Sequence, residues 1–336
     1  MVTSLVSFLG QSQAQAGRLK QLNSMMADLQ RQLTTQKKTD TLSGLGVGSL
    51  AVQGLRMNIG MLDAYTANVD TATTRIDMMT KGIERANASG RDVLSGMKTK
   101  VGNEEDIDAL KLTASQSLPL LRDVANLDID GRYLFSGSNT GSEPLASNSN
   151  INTIAQNAWA DWKAGTITTS QLLSNLENLT PQQMGFSSDL TSSGSVTVNV
   201  GSTMNVDYTS VADKNGMQQV YLITAMMANI SQLDPAVDVP SEDDLQELMN
   251  GMIDMMQDGL NKLESTSADL GTKYKLLDTM QQNHASDKAL YQKTVSGYED
   301  VDTAEVAIQI QSLQTQLNAS YQVTSIISQL SLVNYL

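Results

Sequence analysis

The first 36 residues carry apolar side chains at alternating steps of four and three along the chain. This spacing places them on one stripe of an α-helix and is typical of the seam of a coiled coil. It predicts one long helix over residues 4–36, with large apolar seam positions at Leu5, Leu9, Leu19, Leu22, Met26, Leu29 and Leu33. After a glycine-rich stretch at 39–49, the same spacing returns and predicts a second long helix over residues 50–101.

The C-terminal part of the chain repeats this pattern. Ser241 is a predicted N-cap that Asp244 can reach back to, and the helix that follows keeps a seam over residues 245–298. The last predicted helix, 302–336, is the most apolar, and its seam consists of Val306, Ile310, Leu313, Leu317, Val323, Ile326, Leu330 and Val333. A second apolar face lies beside this seam. Because one helix cannot bury both faces alone, we expect it to pack against the N-terminal helix and against neighbouring subunits.

The middle of the chain has a different pattern. Asn103, followed by acidic residues 104–106, predicts the start of a third helix that runs to about Leu127. From 131 to 240 the composition shifts to Gly, Ser, Thr and Asn, and apolar residues alternate around Gly201, which predicts a β-hairpin. Two short helical segments, 151–163 and 170–179, are predicted inside this region.

These patterns together predict a mainly α fold. Long antiparallel coiled-coil helices, formed by the N- and C-terminal parts, would carry a small central α+β outer domain. The predicted segments are an N-terminal helical core segment at 1–130, the outer domain at 131–240, and a C-terminal helical core segment at 241–336 that packs with the first.

Composition narrows the possible functions. The chain has 336 residues, with 22 Lys and Arg against 36 Asp and Glu, and a formal net charge of -14. Such a charge repels phosphate backbones and anionic lipid, so we expect neither nucleic acid nor a membrane as a partner. With no Cys the chain cannot form a disulfide, and its single His leaves no cysteine or histidine cluster for a metal. We therefore predict no catalytic residue, no metal site and no cofactor.

Several patterns have both a chemical and a structural interpretation. The glycines at 44–48 follow a helix and lack the Lys-Ser/Thr of a phosphate loop, which favours a hinge. Residues 128–131 resemble part of a calcium loop but lack the later ligands, which favours a turn. His284 lies on a predicted seam and fits a packed histidine better than a pH switch. The acidic clusters at 104–108 and 242–244 start helices, where capping explains them better than catalysis does.

Three parts of the sequence resemble the bacterial flagellin superfamily. Residues 316–323 and 327–336 are similar to the terminal helix of that superfamily, and residues 29–42 are similar to its first helix and following loop. The third part is similar to the segment by which hook-filament junction proteins leave their helical core for an outer domain, and consists of Gly131, Arg132, Tyr133, Leu134, Phe135, Ser136 and Gly137. Ordinary flagellins usually lack it, so the resemblance is to the junction-protein branch.

This resemblance implies a structural, non-enzymatic subunit of the bacterial flagellum. It implies export through the flagellar type III channel. A Sec signal peptide would have Lys or Arg before its apolar stretch, and none precedes the stretch at 2–9, so we expect no Sec signal peptide. The implied partners are identical subunits in a ring or helical array, flagellin, the hook-side junction protein, and an export chaperone on the C-terminal helix. Two other functions stay open: a filament-forming flagellin, and a secreted adhesin or hydrolase with a helical stalk.

One loop departs from the family pattern. After the first helix the family commonly has an Arg and a pair of Asp residues near a Pro, whereas this chain has Lys37, Lys38, Thr39 and Asp40 before its glycines. The contacts that the acidic pair makes between subunits are therefore not carried over to this chain.

Overall fold

The computed structural model describes residues 2–100, 107–147 and 149–333, with side chains described at 10, 13–99, 107–147 and 149–326. The fold is mainly α, as predicted. In chain order the elements are α1 (Val2–Thr35), a 3₁₀ turn (Leu42–Leu45), α2 (Gly48–Lys100), α3 (Ile107–Ala125), β1 (Asp128–Ile129), β2 (Arg132–Tyr133), α4 (Ile151–Lys163), α5 (Thr169–Glu177), a 3₁₀ turn (Ser188–Leu190), β3 (Thr197–Asn199), β4 (Asn205–Asp207), α6 (Met217–Ala228), α7 (Glu242–Glu299) and α8 (Thr303–Val333).

The chain divides into two compact units. The terminal unit comprises Met1–Leu62 together with Ala285–Leu336, and the central unit comprises Asp63–His284. Helices α2 and α7 contribute residues to both units. The segments 1–130, 131–240 and 241–336 remain a prediction about how the sequence is organised.

In the terminal unit, α1 packs against α8. The chain just after α1 pairs antiparallel with the chain just before α8, so the end of α1 lies at the start of α8. The predicted long helices therefore form an antiparallel pair. The predicted first helix, 4–36, corresponds to Val2–Thr35, and the predicted last helix, 302–336, begins at Thr303. Residues 334–336 lie outside the described residues.

The central unit has one continuous apolar core. The apolar stripe of α2 is buried in it from Val69 to Met97, together with the inner faces of α3 and of the first half of α7. Helix α6 also lies in this core, and its residues from Val220 to Met227 are all buried. We did not predict α6 from the sequence, because a helix that is apolar on all sides has no polar face to give it a period.

Close backbone approach fixes α6 against α7. Gly216, the residue before α6, has a φ of 93°, a left-handed conformation that favours glycine. A Cβ atom at Gly216 would lie 2.3 Å from the carbonyl oxygen of Gly259 in α7. The start of α6 therefore meets α7 at a point where no side chain fits.

Two short hairpins complete the central unit. Strands β3 and β4 are antiparallel with Val198 opposite Val206, which confirms the predicted hairpin. Strands β1 and β2 are joined at Asp130 and Gly131, which have φ angles of 52° and 73°. Two successive positive φ angles are typical of a tight hairpin turn, so residues 128–131 form the turn that the sequence favoured over a calcium loop.

One helix cap predicted from the sequence is present at the start of α7. Ser241 and Asp244 form a reciprocal cap at the start of α7: the Ser241 amide donates to Asp244 Oδ2 at 2.8 Å, and the Asp244 amide donates to Ser241 Oγ at 3.3 Å. Hydrogen bonds to Ser241 lower the pKa of the Asp244 carboxyl. The acidic cluster at 242–244 is thus explained by helix capping. The cap predicted at Asn103 and the acidic residues 104–106 lie outside the described residues.

One carboxyl group of the central unit, that of Asp213, is buried without a full set of hydrogen bonds, which lowers the stability of the folded state. Asp213 is 7% exposed, and its Oδ1 atom has no hydrogen-bond partner among the described residues. Burial raises the pKa of this carboxyl above its ordinary value, because a low-dielectric surrounding disfavours the charged form. The folded state therefore holds the proton of Asp213 more tightly than the unfolded chain does. The contribution of Asp213 to stability falls as the pH rises above the unfolded pKa, and is least favourable at neutral pH.

We predict that Asp213→Asn raises the free energy of unfolding by about 1 kcal/mol at pH 7, because it removes the buried charge. The gain should shrink as the pH falls through the raised pKa of the folded state towards the ordinary value of 3.8, because the folded carboxyl is then protonated and carries no buried charge. Urea denaturation at a series of pH values measures this, with Asp92→Asn, an exposed carboxylate of α2, as the control. A gain that is equal at pH 7 and pH 4 would contradict the assignment.

Candidate assembly interface

The seam between α1 and α8 forms a small apolar core in the terminal unit. Met26 of α1 is buried against Leu313 and Leu317 of α8. Four partly buried side chains pack against these three, namely Leu19, Leu22, Leu29 and Ile310. Seven of the predicted seam residues are thus brought together by the structure.

The other seam residues with described side chains do not join this cluster. Val306 is buried, but Leu33, Val323 and Ile326 are exposed. The side chains of four further positions lie outside the described residues, namely Leu5, Leu9, Leu330 and Val333. Within the described residues, the covered part of the seam is its middle.

A buried carboxylate ties the loop after α1 to the end of α7. Glu299 is 6% exposed, and its two oxygens lie 2.5 Å from Lys37 Nζ and 2.6 Å from Arg56 Nη2. Each oxygen therefore has its own cation, which offsets the cost of removing the carboxylate from water. We did not predict this cluster, since its members are far apart in sequence and belong to no recognisable motif. We call Lys37, Arg56 and Glu299 the charge clamp.

Backbone hydrogen bonds reinforce the charge clamp on both sides. The Lys38 amide donates to the Glu299 carbonyl at 2.7 Å, and the Val301 amide donates to the Gln36 carbonyl at 3.1 Å. Lys38 Nζ donates to the carbonyls of Gly297 and Tyr298, at 3.1 and 2.9 Å. A cation that covers the last carbonyls of a helix stabilises that end of the helix. The residues that depart from the family pattern, Lys37 and Lys38, thus bind within the chain.

The N-terminal part of α2 presents a second apolar face in the terminal unit. Leu50 is 78% exposed and Met57 is 66% exposed, while Met61 also lies in solvent. Val47, the residue before the helix, is fully exposed. Steps of seven and four along a helix place Leu50, Met57 and Met61 on one stripe. The buried residue Val52 belongs to the stripe predicted from the sequence, whereas this exposed stripe was not singled out. Exposed apolar stripes of this kind mark surfaces that bind other proteins.

The segment 131–137 anchors the hairpin of the central unit to its core. Phe135 is fully buried, and its carbonyl accepts from the Ala212 amide at 3.0 Å. Ser136 Oγ donates to the Tyr133 carbonyl at 2.9 Å, and Leu134 is buried as well. Residues 134–137 of the segment identified by family resemblance are therefore buried in the central unit, whereas Gly131 and Arg132 are exposed.

The described residues show little that resembles a reactive centre. No group of three His, Asp or Glu side chains in the described part of the chain is placed to hold a metal ion. His284 is buried, its Nε2 lies 2.9 Å from the Val200 carbonyl, and its ring lies 5.9 Å from that of Tyr65. Among the described residues, none of the helices combines the length and the apolarity that crossing a bilayer requires.

The helices of this interface are similar to part of a known protein family. Residues 253–336, which include most of α7 and all of α8, match the family described as the bacterial flagellin C-terminal helical region. Most of α7 and all of α8 are therefore similar to a flagellin C-terminal region. This match confirms the resemblance to the flagellin superfamily that the sequence suggested at residues 316–323 and 327–336.

One solved structure shares the fold of this chain. A Vibrio parahaemolyticus protein assigned as a flagellar hook-associated protein superposes with a TM-score of 0.53 at 15% identity, over 76% of this flagellin-like chain and 100% of that chain. The crystal structure of Bacillus cereus FlgL gives a TM-score of 0.45 at 13% identity, over 72% and 97% of the two chains. No match was found among the curated proteins. The flagellin-like chain therefore shares the fold of the Vibrio protein over the full length of that protein.

The charge clamp gives a direct test of what holds the terminal unit together. We predict that the double variant Lys37→Met/Arg56→Met lowers the free energy of unfolding of this unit by about 3 kcal/mol, because it leaves Glu299 buried without a cation. Adding Glu299→Gln to that variant should restore part of the loss, since it removes the uncompensated charge. Hydrogen exchange at the amides of Lys38 and Val301 measures the local effect.

Lys293→Met serves as the control for this prediction, because Lys293 is an exposed cation of α7 with the same chemistry and no ion-pair partner among the described residues. Equal protection of the two amides in the double variant and in the wild type would show that the backbone hydrogen bonds alone hold the junction.

Proposed function

We propose that this chain is a structural subunit of the bacterial flagellum that joins the hook to the filament. The observation that carries this proposal is the match of residues 253–336 to the flagellin C-terminal helical region, whose last helix, α8, packs against α1. The fold shared with a protein assigned as flagellar hook-associated supports the position at the junction. The subunit is not an enzyme, and its place is the extracellular flagellum.

The mechanism of assembly is the burial of apolar helix faces between subunits. The seam of α1 and α8 holds each subunit in its assembled form, and the exposed stripe of Leu50, Met57 and Met61 packs against a neighbouring chain. Burying a large apolar side chain contributes about 1.5 to 3 kcal/mol, so a few such contacts per subunit supply a strong interface. The predicted seam residues Val323 and Ile326 on α8 are exposed within one chain and are further contact points.

The proposed partners are identical subunits in a ring or helical array, flagellin on one side and the hook-side junction protein on the other. An export chaperone covers α8 before assembly, and the chain leaves the cell through the flagellar type III channel. A second function, a filament-forming flagellin, is favoured by the match of residues 253–336, since that family is described as bacterial flagellin.

Electron microscopy of the purified chain separates the two functions. In the presence of a salting-out anion, which strengthens apolar burial, we expect the purified chain to form monomers or short closed oligomers. We expect it to join larger assemblies only when hook ends or flagellin are added. Long filaments formed by this chain alone would contradict the junction role and favour the flagellin.

We also predict that Leu50→Ser/Met57→Ser abolishes incorporation at hook ends while the circular dichroism and the melting temperature stay close to wild type, since both side chains are already exposed. Leu112→Ser, an exposed leucine on α3 of the central unit, is the matched control. Normal incorporation of the double variant would exclude the exposed stripe as a subunit contact.

A further inference from the structure

The central unit contains a groove between α5, α6 and α7 that the proposed assembly does not use. Its volume is about 450 Å³. The apolar side chains of its lining are Leu173, Leu176, Leu179, Met184, Leu222 and Met255. A groove of this size with leucine and methionine side chains is suited to a short hydrocarbon chain.

All the charged residues that line the groove are acidic. Glu177 of α5 and Asp254 and Asp258 of α7 line the groove, and none of its described lining residues is basic. Asp258 accepts hydrogen bonds from Lys262 Nζ at 2.7 Å and from Gln219 Nε2 at 2.9 Å. The bond from Lys262 is the main cause that lowers the pKa of Asp258.

The two other carboxylates lack such partners. Glu177 and Asp254 are exposed and form no hydrogen bond or ion pair with the described residues. Gln218 adds a further acceptor, because its Oε1 atom is covered and has no donor among the described residues. The lining therefore offers acceptors that nothing in the described chain satisfies.

The walls of the groove are fixed by close packing. A Cβ atom at Gly251 of α7 would lie 2.6 Å from Leu173 Cδ1, so α5 rests directly on α7 at this glycine. The start of α5 is held by a reciprocal cap, in which Thr168 and Gln171 each accept from the other's backbone amide. A groove whose walls are already in place loses little conformational freedom when a ligand enters.

Charge and shape together select the class of ligand. The carboxylates repel an anionic ligand. A neutral hydrocarbon would remove the carboxylates from water without giving them a hydrogen bond in return. A cation at the end of a hydrocarbon stem satisfies both parts of the lining, since the stem covers the apolar side chains and the ammonium donates to the carboxylates. We propose that this groove binds a free linear aliphatic amine, with its ammonium at Asp254 and Glu177 and its stem on Leu173, Leu222 and Met255.

The test uses the full chain with its methionine methyl groups labelled with ¹³C. Met184 and Met255 line the groove and act as local probes. Titration with 1-aminohexane should give saturable shifts of these two methyl signals, whereas 1-hexanol and hexanoate should give much weaker effects. Equal binding of 1-hexanol would overturn the proposal, because the carboxylates would then have no part in binding.

Paired variants test the carboxylates themselves. Glu177→Gln/Asp254→Asn should weaken the binding of 1-aminohexane by about tenfold, because it removes both unpaired charges. Asp92→Asn/Glu247→Gln changes the net charge equally at exposed positions outside the groove lining and should leave binding unchanged. If both double variants lost the same affinity for 1-aminohexane, the overall charge of the chain would explain the binding, and a specific site would be refuted.

A lysine side chain of another protein offers the same ammonium chemistry as a free amine. Nα-acetyl-lysine amide, titrated in parallel, distinguishes the two sources. Shifts with this compound and none with 1-aminohexane would overturn the proposal in favour of a protein contact. This test is independent of flagellar assembly, since the groove lies in the central unit and none of its lining residues belongs to the seam or to the exposed stripe of α2.

Discussion

The antiparallel pairing of the first and last helices is the constraint on which the terminal unit depends. Two helices that meet along one stripe bury little apolar surface for their length, so their register needs further support. The charge clamp provides it at the junction of α7 and α8, because Glu299 satisfies both oxygens only when the loop after α1 and the start of α2 are correctly placed. Apolar packing therefore brings the two helices together, and paired charges fix where the junction sits.

Much of this fold follows from the sequence, because its long helices repeat one strong pattern. The seam spacing predicted α1, α2, α7 and α8, and alternation around Gly201 predicted the hairpin of β3 and β4. Two features had no such signal. Helix α6 lacks a polar face and so shows no period, and the charge clamp joins residues such as Arg56 and Glu299 that only the tertiary fold brings together.

The candidate interface was predictable in kind but not in detail. Heptad spacing identifies every apolar position on a stripe, yet it does not tell which part of the stripe a single chain covers. Met26 and Leu313 are covered within the chain, whereas Val323 and Ile326 on the same predicted seam are exposed. The exposed stripe at Leu50 and Met57 lies beside the predicted one, where helix periodicity alone gives it no special role.

The position of the seam in the chain has a consequence for the order of folding. The residues of the central unit form one contiguous stretch, so its core can close as soon as that stretch is available. Met26 instead waits for Leu313 and Leu317, near the other end of the chain. Closing so long a loop is entropically costly unless the intervening residues are already compact, which makes the folded central unit the element that brings the two ends within reach. The terminal pair is therefore the last part of the molecule to close.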